Sequence, residues 1–247
     1  MMKLFLIGIN GRMGKMISQR AEIFGCEIAG GIDKVKGGDY PVFDEAKEVN
    51  VDFDVIVDFS HPSVLGQTIE LALSRKAPVV LATTGYSDED IKKIEALSKK
   101  VAVFKSANMS LGVNAVNAIL PELARILNGY DIEIIEAHHN TKKDAPSGTA
   151  LMLEKSVEKG LDYAPHLKFG RCGQDKREKG DIGMHAIRGG TIVGEHTVLF
   201  AGEDEMIEIK HTALSRKILA DGAIKAAIYL KNRPFGLFDM SDLTNSR

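Results

Sequence analysis

Residues 3–14 read KLFLIGINGRMG, an apolar run that leads into three glycines spaced three residues apart. The apolar run is typical of a strand whose two faces are both covered. The glycines stand at Gly8, Gly11 and Gly14, a variant of the spacing at which a strand turns into a helix in dinucleotide-binding folds. Apolar residues then recur with a period of about 3.6 up to Gly25, which indicates that helix. The stretch therefore predicts the first strand, turn and helix of a parallel βαβ unit.

Strands and helices alternate through the rest of the first half of the chain. Further strands are predicted at 26–32, 53–59, 78–81 and 101–104, and helices at 62–74 and 87–99. Such alternation with short connections is typical of an α/β fold with a doubly wound parallel sheet. We predict that residues 1–109 form an N-terminal Rossmann-like dinucleotide-binding domain.

The pattern changes after residue 109. Residues 161–183 have no clear period, whereas Gly189-Gly190 has the composition of a tight hairpin turn. Residues 110–214 are expected to form a C-terminal α+β domain with a largely antiparallel or mixed sheet. An apolar, alanine-rich helix from Ser215 is expected to pack back on the first domain, together with the residues up to 247. In the C-terminal domain, helices are predicted at 110–127 and 147–159, and strands at 131–136, 184–188, 191–200 and 206–212.

Composition argues against several classes of protein. The chain has 247 residues, with 32 Lys and Arg against 34 Asp and Glu, and a net charge of −2 gives no electrostatic support for nucleic-acid binding. No apolar run approaches the roughly 20 residues that span a bilayer. The two cysteines, Cys26 and Cys172, argue against a disulfide scaffold and suggest reduced thiols in the cytoplasm. A membrane protein, a secreted disulfide-rich domain and a nucleic-acid binder are therefore not expected.

The glycine loop and the end of the second strand indicate a cofactor site. Glycine allows a close backbone approach that a Cβ atom would block, and the following helix points N–H groups and its positive dipole end at a pyrophosphate. An acid, Asp33, ends the second predicted strand 19 residues after Gly14, where it suits the ribose hydroxyls of NAD(H). Lys34 suits a 2′-phosphate instead. The pair therefore leaves both NADH and NADPH open.

Small residues at the carboxyl ends of two later strands are expected to frame a nicotinamide, because an open α/β sheet binds its ligand at that edge. A plain strand–helix turn and ordinary loops are the alternative interpretation of these segments. The candidate cofactor-binding residues are Gly8, Ile9, Asn10, Gly11, Arg12, Met13, Asp33, Lys34, Ala82, Thr83, Thr84, Ser106, Ala107, Asn108 and Met109.

The segment with the densest chemistry, residues 136–150, reads EAHHNTKKDAPSGTA and lies between a predicted strand and a predicted helix. His138 and His139 are adjacent at the strand end and project to opposite faces, and no other metal-ligand spacing accompanies them, so no metal site is expected. Two histidines with Lys142 in a polar loop indicate acid–base chemistry and anion binding. Taken alone, these residues indicate a reductase with an anionic substrate.

The helix after this loop begins with Ser147, Gly148 and Thr149. Its N–H groups, with the two hydroxyls, would cradle a carboxylate by the same physics as the pyrophosphate site. The alternative is that Ser147 only caps the helix. Capping and anion binding can coexist, so both interpretations stay open.

Six segments carry a resemblance that covers the chain from about residue 3 to residue 240. They are GINGRMG at 8–14, ATTG at 82–85, ANMSLGVN at 107–114, EAHHNTKKDAPSGTA at 136–150, IVGEH at 192–196 and GLFDM at 236–240. In this order they resemble the 4-hydroxy-tetrahydrodipicolinate reductase (dihydrodipicolinate reductase) family of bacterial lysine biosynthesis. The pattern HHxxKxDxPSGT at 138–149 is highly specific, whereas the glycine loop is not.

The resemblance implies NAD(P)H-dependent reduction of 4-hydroxy-tetrahydrodipicolinate to tetrahydrodipicolinate in the diaminopimelate and lysine pathway. It implies that His138 is a catalytic proton donor and acceptor and that Lys142 is the proton donor. It also implies a cytoplasmic homotetramer whose C-terminal domain binds substrate and mediates assembly. The substrate-binding residues would be His139, Ser147, Gly148 and Thr149.

Three positions depart from the pattern of the family. His61 stands where many members carry an arginine, Ala82 replaces a frequent glycine, and Met109 stands where some members have an aromatic residue. These departures bear on cofactor preference and on nicotinamide packing rather than on the reaction. Two other classes of protein stay open: another two-domain NAD(P)-dependent oxidoreductase, such as an amino-acid or sugar dehydrogenase, and a nucleotide-sensing protein without turnover.

Overall fold

The chain forms two units in the computed structural model, which describes residues 1–174 and 176–245. One unit contains Met1–Leu111 and Lys217–Arg247, and the other contains Gly112–Arg216. The boundaries expected from the sequence lie two residues earlier at each junction. No helix within the described ranges has the length and apolarity needed to cross a membrane.

The first unit is a parallel sheet with helices on both faces, which confirms the Rossmann-like α/β prediction. Its strands are β1 (Met2–Ile7), β2 (Cys26–Ile32), β3 (Val42–Phe43), β4 (Val55–Asp58), β5 (Val79–Leu81), β6 (Ala102–Lys105) and β12 (Gly236–Phe238). Its helices are α1 (Arg12–Ala21), α2 (Leu65–Arg75), α3 (Asp88–Ser98), α6 (Lys217–Leu230) and α7 (Met240–Asn245). The strands follow the order β12-β6-β5-β4-β1-β2-β3, and each neighbouring pair is parallel. The short elements β3, β12 and α7 were not predicted.

Strand β1 shows why an apolar run forms the centre of this sheet. Successive side chains of a strand point to opposite faces. Leu4 and Leu6 are buried in an apolar cluster with residues of α1 and α6, whereas Phe5 and Ile7 are buried in a second cluster with residues of α2 and α3. Because both faces are covered, the strand is apolar throughout rather than alternating.

Helix α6 packs on the sheet of the first unit through small residues. Ala223, Ala226 and Ala227 are fully buried in the same cluster as β1. Gly222 lies so close to the loop after β6 that an added Cβ atom would come within 1.7 Å of the Met109 carbonyl oxygen. The alanine-rich composition of this helix therefore reflects close backbone packing.

The second unit is built around a mixed sheet, as predicted. Its strands are β7 (Asp131–His138), β8 (His166–Phe169), β9 (Asp181–Arg188), β10 (Gly194–Ala201) and β11 (Met206–Ala213), and its helices are α4 (Leu111–Ile126) and α5 (Gly148–Glu158). The strand order is β11-β10-β7-β9-β8. The central strand β7 is parallel to β9 and antiparallel to β10. Ile132 and Ile134 of β7 are buried with apolar residues of both helices, which explains the alternation seen in the sequence.

The predicted hairpin at Gly189-Gly190 is wrong. Strands β9 and β10 lie on opposite sides of β7. Residues 189–193 instead cross the carboxyl end of β7, where the Gly189 N–H donates to His138 O at 2.9 Å and the Asn140 N–H donates to Gly190 O at 3.2 Å. Two glycines suit a sharp crossing as well as a hairpin turn, so composition did not distinguish them. The crossing brings the end of β9 and the start of β10 beside His138.

One glycine of α6 is closely packed and one glycine of α2 is not, and substitution of both tests the account of α6 packing. Gly222→Ala is expected to lower the free energy of unfolding by about 1–3 kcal/mol, because the new methyl group meets the Met109 carbonyl oxygen. Gly66→Ala in α2 adds a Cβ with no neighbour within 4 Å, so it should raise that free energy by up to about 1 kcal/mol or leave it unchanged. Urea unfolding followed by circular dichroism measures both. Equal effects of the two substitutions would contradict this account of α6.

Candidate active site

Four loops of the first unit leave the sheet at the same edge. Gly8 follows β1, Asp33 follows β2, Ala82 follows β5 and Ser106 follows β6. Because these strands are parallel, their carboxyl ends meet at one edge, which is where open α/β sheets bind their ligands. The structure therefore brings the predicted cofactor segments to one edge of the sheet.

Close backbone contacts fix the glycine loop. Gly8 has a φ of +85°, which favours glycine, and its N–H donates to Ile32 O at 2.8 Å. A Cβ atom on Gly14 would lie 2.3 Å from the carbonyl oxygens of both Gly8 and Ile9. Gly11 precedes α1 without a side-chain cap, and the first turn of α1 has no acidic residue. The first turn of α1 therefore has no carboxylate that would neutralise the positive end of the helix dipole. This helix end fits a pyrophosphate.

The other residues of the glycine loop divide between core and surface. Ile9 is buried, and Met13 packs against the same apolar cluster. Arg12 is exposed at the start of α1. Of these three side chains, Arg12 alone offers a charged group to a phosphate.

Asp33 and Asn10 join the glycine loop to the loop after β2. The Asp33 carboxylate accepts the Asn10 N–H at 2.9 Å and the Val35 N–H at 3.0 Å. The Asn10 side-chain amide donates to Val35 O at 2.6 Å and to Gly37 O at 3.0 Å. Each carboxylate oxygen has a further lone pair, so Asp33 retains capacity for a ribose hydroxyl. Lys34 is exposed next to it.

A cavity of about 430 Å³ opens at this edge of the first unit. Its lining includes Gly8, Asp33 and Lys34 from the predicted site, together with His61 and Ser63. His61 precedes a 3₁₀ turn, and its Nδ1 accepts the Ser63 N–H at 3.2 Å. Ser63 was not predicted, because in this loop the sequence analysis singled out only His61. The cavity brings together the two residues with opposite cofactor preferences.

Thr83 holds two of the strand-end loops together. Its Oγ1 donates to Asp58 Oδ1 at 2.9 Å and accepts the Ser60 N–H at 2.9 Å. Asp58 is fully buried at the end of β4, and Thr83 is buried as well. The Thr83 side chain therefore links the loops after β4 and β5. The neighbouring residues differ: Ala82 is buried, whereas Thr84 is exposed.

The loop after β6 is shaped by its own polar side chains. Ser106 Oγ donates to Asn108 O at 2.8 Å, and Asn108 Oδ1 accepts the Ser110 N–H at 2.8 Å. Ala107 is exposed, whereas Met109 is buried in the apolar core with α6. The Met109 side chain thus packs within the unit, and Ala107 presents the open surface of this loop.

In the second unit, the predicted catalytic residues gather at the carboxyl end of β7. His138 ends this strand opposite Arg188 of β9. Its Nδ1 lies 2.6 Å from Glu136 Oε2. Gly194 of β10 lies so close that a Cβ atom there would come within 3.1 Å of His138 Nε2. The histidine ring is therefore held from β7 and β10 at once.

Glu136 is a fully buried carboxylate surrounded by donors. Arg188 donates to it as a bidentate pair, from Nη1 at 2.8 Å and from Nη2 at 2.7 Å, and the Ser147 N–H donates to it at 3.0 Å. Burial raises the pKa of Glu136, but the hydrogen bonds from Arg188 and His138 outweigh burial and hold this pKa below its ordinary value. The carboxylate is therefore ionised and joins β7, β9 and the start of α5.

Lys142 lies in the loop between β7 and α5. Its Nζ donates to both carboxylate oxygens of Asp144 at 2.8 Å, and this hydrogen bond holds the pKa of Asp144 below its ordinary value. Arg188 Nη2 donates to Asp144 O at 2.6 Å, which ties the loop to β9. The Lys142 side chain is 21% exposed, so a ligand can reach it.

His139 points its two ring nitrogens at different partners. Its Nδ1 lies 2.7 Å from Thr141 Oγ1, and its Nε2 lies 3.5 Å from Arg216 Nη2. Arg216 is far along the chain and was not predicted. Its guanidinium adds a second positive charge to the region in which an anionic substrate was expected.

The start of α5 separates the roles of Ser147 and Gly148. Ser147 caps the helix, because its Oγ accepts the Ala150 N–H at 3.2 Å, and the residue is buried. Gly148 is exposed, and an added Cβ atom there would have no neighbour within 4 Å. The first turn, which contains Thr149, has no acidic residue. The capping interpretation of Ser147 is thus confirmed, and the open space beside Gly148 fits a carboxylate.

His196 is a buried neighbour of the catalytic block that was not predicted as a site residue. Its Nε2 lies 2.9 Å from Ser147 Oγ, and its ring centroid lies 5.2 Å from that of His138 in an edge-on arrangement. Burial, and then the charge of His138, lowers the pKa of His196 to about 4. His196 is therefore neutral near pH 7.

The site residues that sequence analysis did not predict were missed for different reasons. Glu136 and His196 stand inside quoted motifs, but only the structure shows that they are buried beside His138. Arg188 reaches the site because β9 pairs in parallel with β7, and no sequence motif marks that pairing. Arg216 stands before α6 in a segment without a recognised motif.

A glycine loop on a parallel sheet and an acid–base block on a mixed sheet define a nucleotide-dependent oxidoreductase. Two family models match this chain. One, described as dihydrodipicolinate reductase, N-terminus, matches residues 2–109, and the other, described as dihydrodipicolinate reductase, C-terminus, matches residues 112–244. The chain belongs to the dihydrodipicolinate reductase family.

Individual relatives agree with this assignment. The chain is 50% identical to the 4-hydroxy-tetrahydrodipicolinate reductase of Clostridium novyi (strain NT) over 251 residues, with 100% of both chains covered. It is 46% identical to the 4-hydroxy-tetrahydrodipicolinate reductase of Caldanaerobacter subterraneus subsp. tengcongensis, with 98% of both covered. The solved dipicolinate-bound dihydrodipicolinate reductase of Paenisporosarcina sp. TG-14 has the same fold, with a TM-score of 0.78, 22% identity and 97% of both chains covered.

Substitution of His196 is expected to change the pH dependence of stability. The imidazole titrates near 4 in the folded chain and near 6.5 when unfolded. Between these values the unfolded state binds more protons, so the wild type loses stability as pH falls through this window. His196→Gln removes this linkage, so the stability difference between wild type and variant should shrink by roughly 1–2 kcal/mol from pH 7.5 to pH 5. Urea unfolding at both pH values measures it, and a constant difference would contradict a neutral buried His196.

Proposed function

We propose that this chain reduces 4-hydroxy-tetrahydrodipicolinate to tetrahydrodipicolinate with NADH or NADPH, in the diaminopimelate and lysine pathway. The observation that carries the proposal is the HHxxKxDxPSGT block, residues 138–149, which lies between the end of β7 and the open start of α5. Relatives that are 43–50% identical to nearly the whole chain are named for this activity. A sugar dehydrogenase or a nucleotide sensor would not account for this block.

The reaction has a simple balance of atoms. The substrate gains one hydride and one proton and loses one water. NADH or NADPH supplies the hydride when it is bound. The protein must therefore hold a dicarboxylate, deliver a proton and assist the departure of the hydroxyl group as water.

The first unit supports the cofactor part of this proposal. The N–H groups at the start of α1 would bind the pyrophosphate, because Gly11 provides no side-chain cap and the first turn contains no acidic residue. Asp33, which Asn10 and Val35 fix through their N–H groups, would bind the adenosine ribose. Lys34 lines the same cavity and would bind a 2′-phosphate. The two residues together suit either cofactor.

Positive charge and helix geometry support the binding of a dicarboxylate in the second unit. The start of α5 offers N–H groups at Gly148 and Thr149 to one carboxylate. His139 and Arg216 add donors for an anion close by. Lys142 contributes an ammonium group whose position Asp144 fixes.

Two residues would move protons. Lys142 would protonate the ring carbon next to the one that receives the hydride, because its ammonium group stabilises negative charge as it develops there. His138 would exchange a proton with the substrate during loss of water. Both side chains lie at the carboxyl end of β7 or in the loop after it.

We also propose that the chain assembles as a homotetramer in the cytoplasm. Helices cover one face of the mixed sheet, where Ile132 and Ile134 are buried. On the strands around the other face, Ile187 remains 50% exposed and Met206 remains 61% exposed. These apolar side chains support assembly through that face, as the resemblance implies.

Lys142→Ala tests the assignment of the proton donor. Turnover is expected to fall by at least about 100-fold, the scale of a positioned acid, because no other ammonium group occupies that place in the loop. The affinity for cofactor should stay nearly unchanged, since Lys142 is outside the glycine loop. Steady-state assays of substrate reduction and a fluorescence titration with NADPH measure the two quantities.

Lys143→Ala is the matched control. Lys143 is the next residue along the chain and is exposed. Its replacement by alanine removes the same charge and the same side-chain length, but it leaves the Lys142–Asp144 contact in place. Its turnover is expected to stay within a few-fold of the wild type. Equal losses in the two variants, or unchanged turnover in Lys142→Ala, would contradict the role of Lys142.

A further inference from the structure

We propose that Glu136 is a positioning residue that selects the tautomer of His138 with its proton on Nδ1. The inference rests on the proposed function, in which His138 exchanges a proton with the substrate. It assigns the exchange to Nε2 and gives the buried carboxylate a task in the reaction, although Glu136 itself touches no substrate.

The contacts of Glu136 determine the direction of its hydrogen bond to His138. An ionised carboxylate only accepts hydrogen bonds. Arg188 donates to Glu136 through two nitrogens and Ser147 donates through its N–H, so these partners favour the ionised form. His138 Nδ1, at 2.6 Å from Oε2, must then be the donor. A neutral His138 consequently has a bare Nε2.

The surroundings of His138 hold its ring in this orientation. The His138 Nε2 atom lies close to Gly194, where a Cβ atom on residue 194 would come within 3.1 Å of it. The absence of a side chain at Gly194 thus makes room for the ring. The His196 ring stands edge-on at 5.2 Å and is itself anchored to Ser147 Oγ. The His138 side chain is 12% exposed. A ring flip would place a carbon atom against the Glu136 carboxylate, so the hydrogen bond opposes it.

Titratable or charged groups face His138 from each element packed around it. Glu136 lies on the same strand, Arg188 faces it from β9, and His196 faces it from β10. The loop before α5 adds the Lys142–Asp144 pair. Among these groups, Glu136 is the one within hydrogen-bond distance of the His138 ring.

The same carboxylate couples the histidine to the start of α5. Glu136 Oε1 accepts the Ser147 N–H, whereas Oε2 lies against His138 Nδ1. One buried group thus fixes both the proposed proton carrier and the helix end proposed to hold a substrate carboxylate. Loss of its charge would affect proton transfer more than binding, because the Ser147 cap to Ala150 persists.

The first test needs no variant. Nitrogen-15 NMR of the full-length chain, labelled at its seven histidines, reports which ring nitrogen carries the proton. His138→Gln identifies the His138 signals. The expected spectrum of neutral His138 has a protonated Nδ1 and an unprotonated Nε2. A protonated Nε2 with a bare Nδ1 would overturn the proposal, whatever the activity of the chain.

The second test replaces the carboxylate by an amide of the same shape. In Glu136→Gln the amide oxygen at the Oε1 position can still accept from Arg188 Nη2 and from the Ser147 N–H. The NH₂ group then replaces Oε2, so it faces His138 Nδ1 and loses the bond from Arg188 Nη1. The proton of His138 is then expected to move to Nε2. The kcat should fall by at least about 100-fold, with KM within about threefold of the wild type, because a misplaced proton impairs transfer rather than binding.

Glu133→Gln is the matched control on the same strand. Glu133 also bonds a histidine and an arginine, His185 Nε2 at 2.7 Å and Arg171 Nη1 at 2.8 Å. It should keep the wild-type kcat and the wild-type tautomer of His138. Unchanged kcat in folded Glu136→Gln, or an equal loss in both variants, would overturn the proposal. Absence of turnover in the wild type would instead contradict the proposed function and leave the NMR result to decide this inference.

Discussion

The buried carboxylate of Glu136 is the interaction on which the second unit depends. It receives hydrogen bonds from Arg188 and Ser147 and lies 2.6 Å from His138 Nδ1, so it joins β9, α5 and β7 at one point. A charge buried this deeply is stable only while its donors remain in place, since an unpaired buried charge costs several kcal/mol. The site is therefore assembled only when the mixed sheet has its observed register. Folding and chemistry are linked through one side chain.

The first unit obeys a different constraint, which is the parallel direction of its strands. Parallel strands place their carboxyl ends at one edge, and this geometry collects short loops that are far apart in the sequence. Glycine is required where the backbone itself crowds the turn, as at Gly14. The contact between Asn10 and Asp33 then fixes the loop after β2, whose residues Asp33 and Lys34 are the ones proposed to bind the cofactor ribose or its 2′-phosphate. Backbone geometry thus shapes the cofactor site proposed for the first unit, whereas a buried ionic network shapes the acid–base site proposed for the second.

Local patterns were sufficient to predict the parallel sheet and the helix that Ser147 caps, because these depend on periodicity and on turn chemistry. They failed where the outcome depends on which strands pair. Gly189-Gly190 suited a hairpin, yet the chain crosses β7 there. Arg188 was missed because the parallel pairing of β9 with β7 was not predicted. Strand β8 was missed because it is a short edge strand of four residues. The role of Glu136 was hidden because burial is a property of the fold and not of the motif.

The most direct measurement of the central claim uses the wild-type chain. It would receive the fresh condensation product of pyruvate and aspartate semialdehyde, with NADH and NADPH in separate runs. Loss of the nicotinamide absorbance and mass spectrometry of the product would be followed together. The account predicts equal amounts of oxidised cofactor and tetrahydrodipicolinate, and the ratio of kcat/KM for the two cofactors would show whether Asp33 or Lys34 dominates. Bound cofactor that is not oxidised by this substrate would contradict the account.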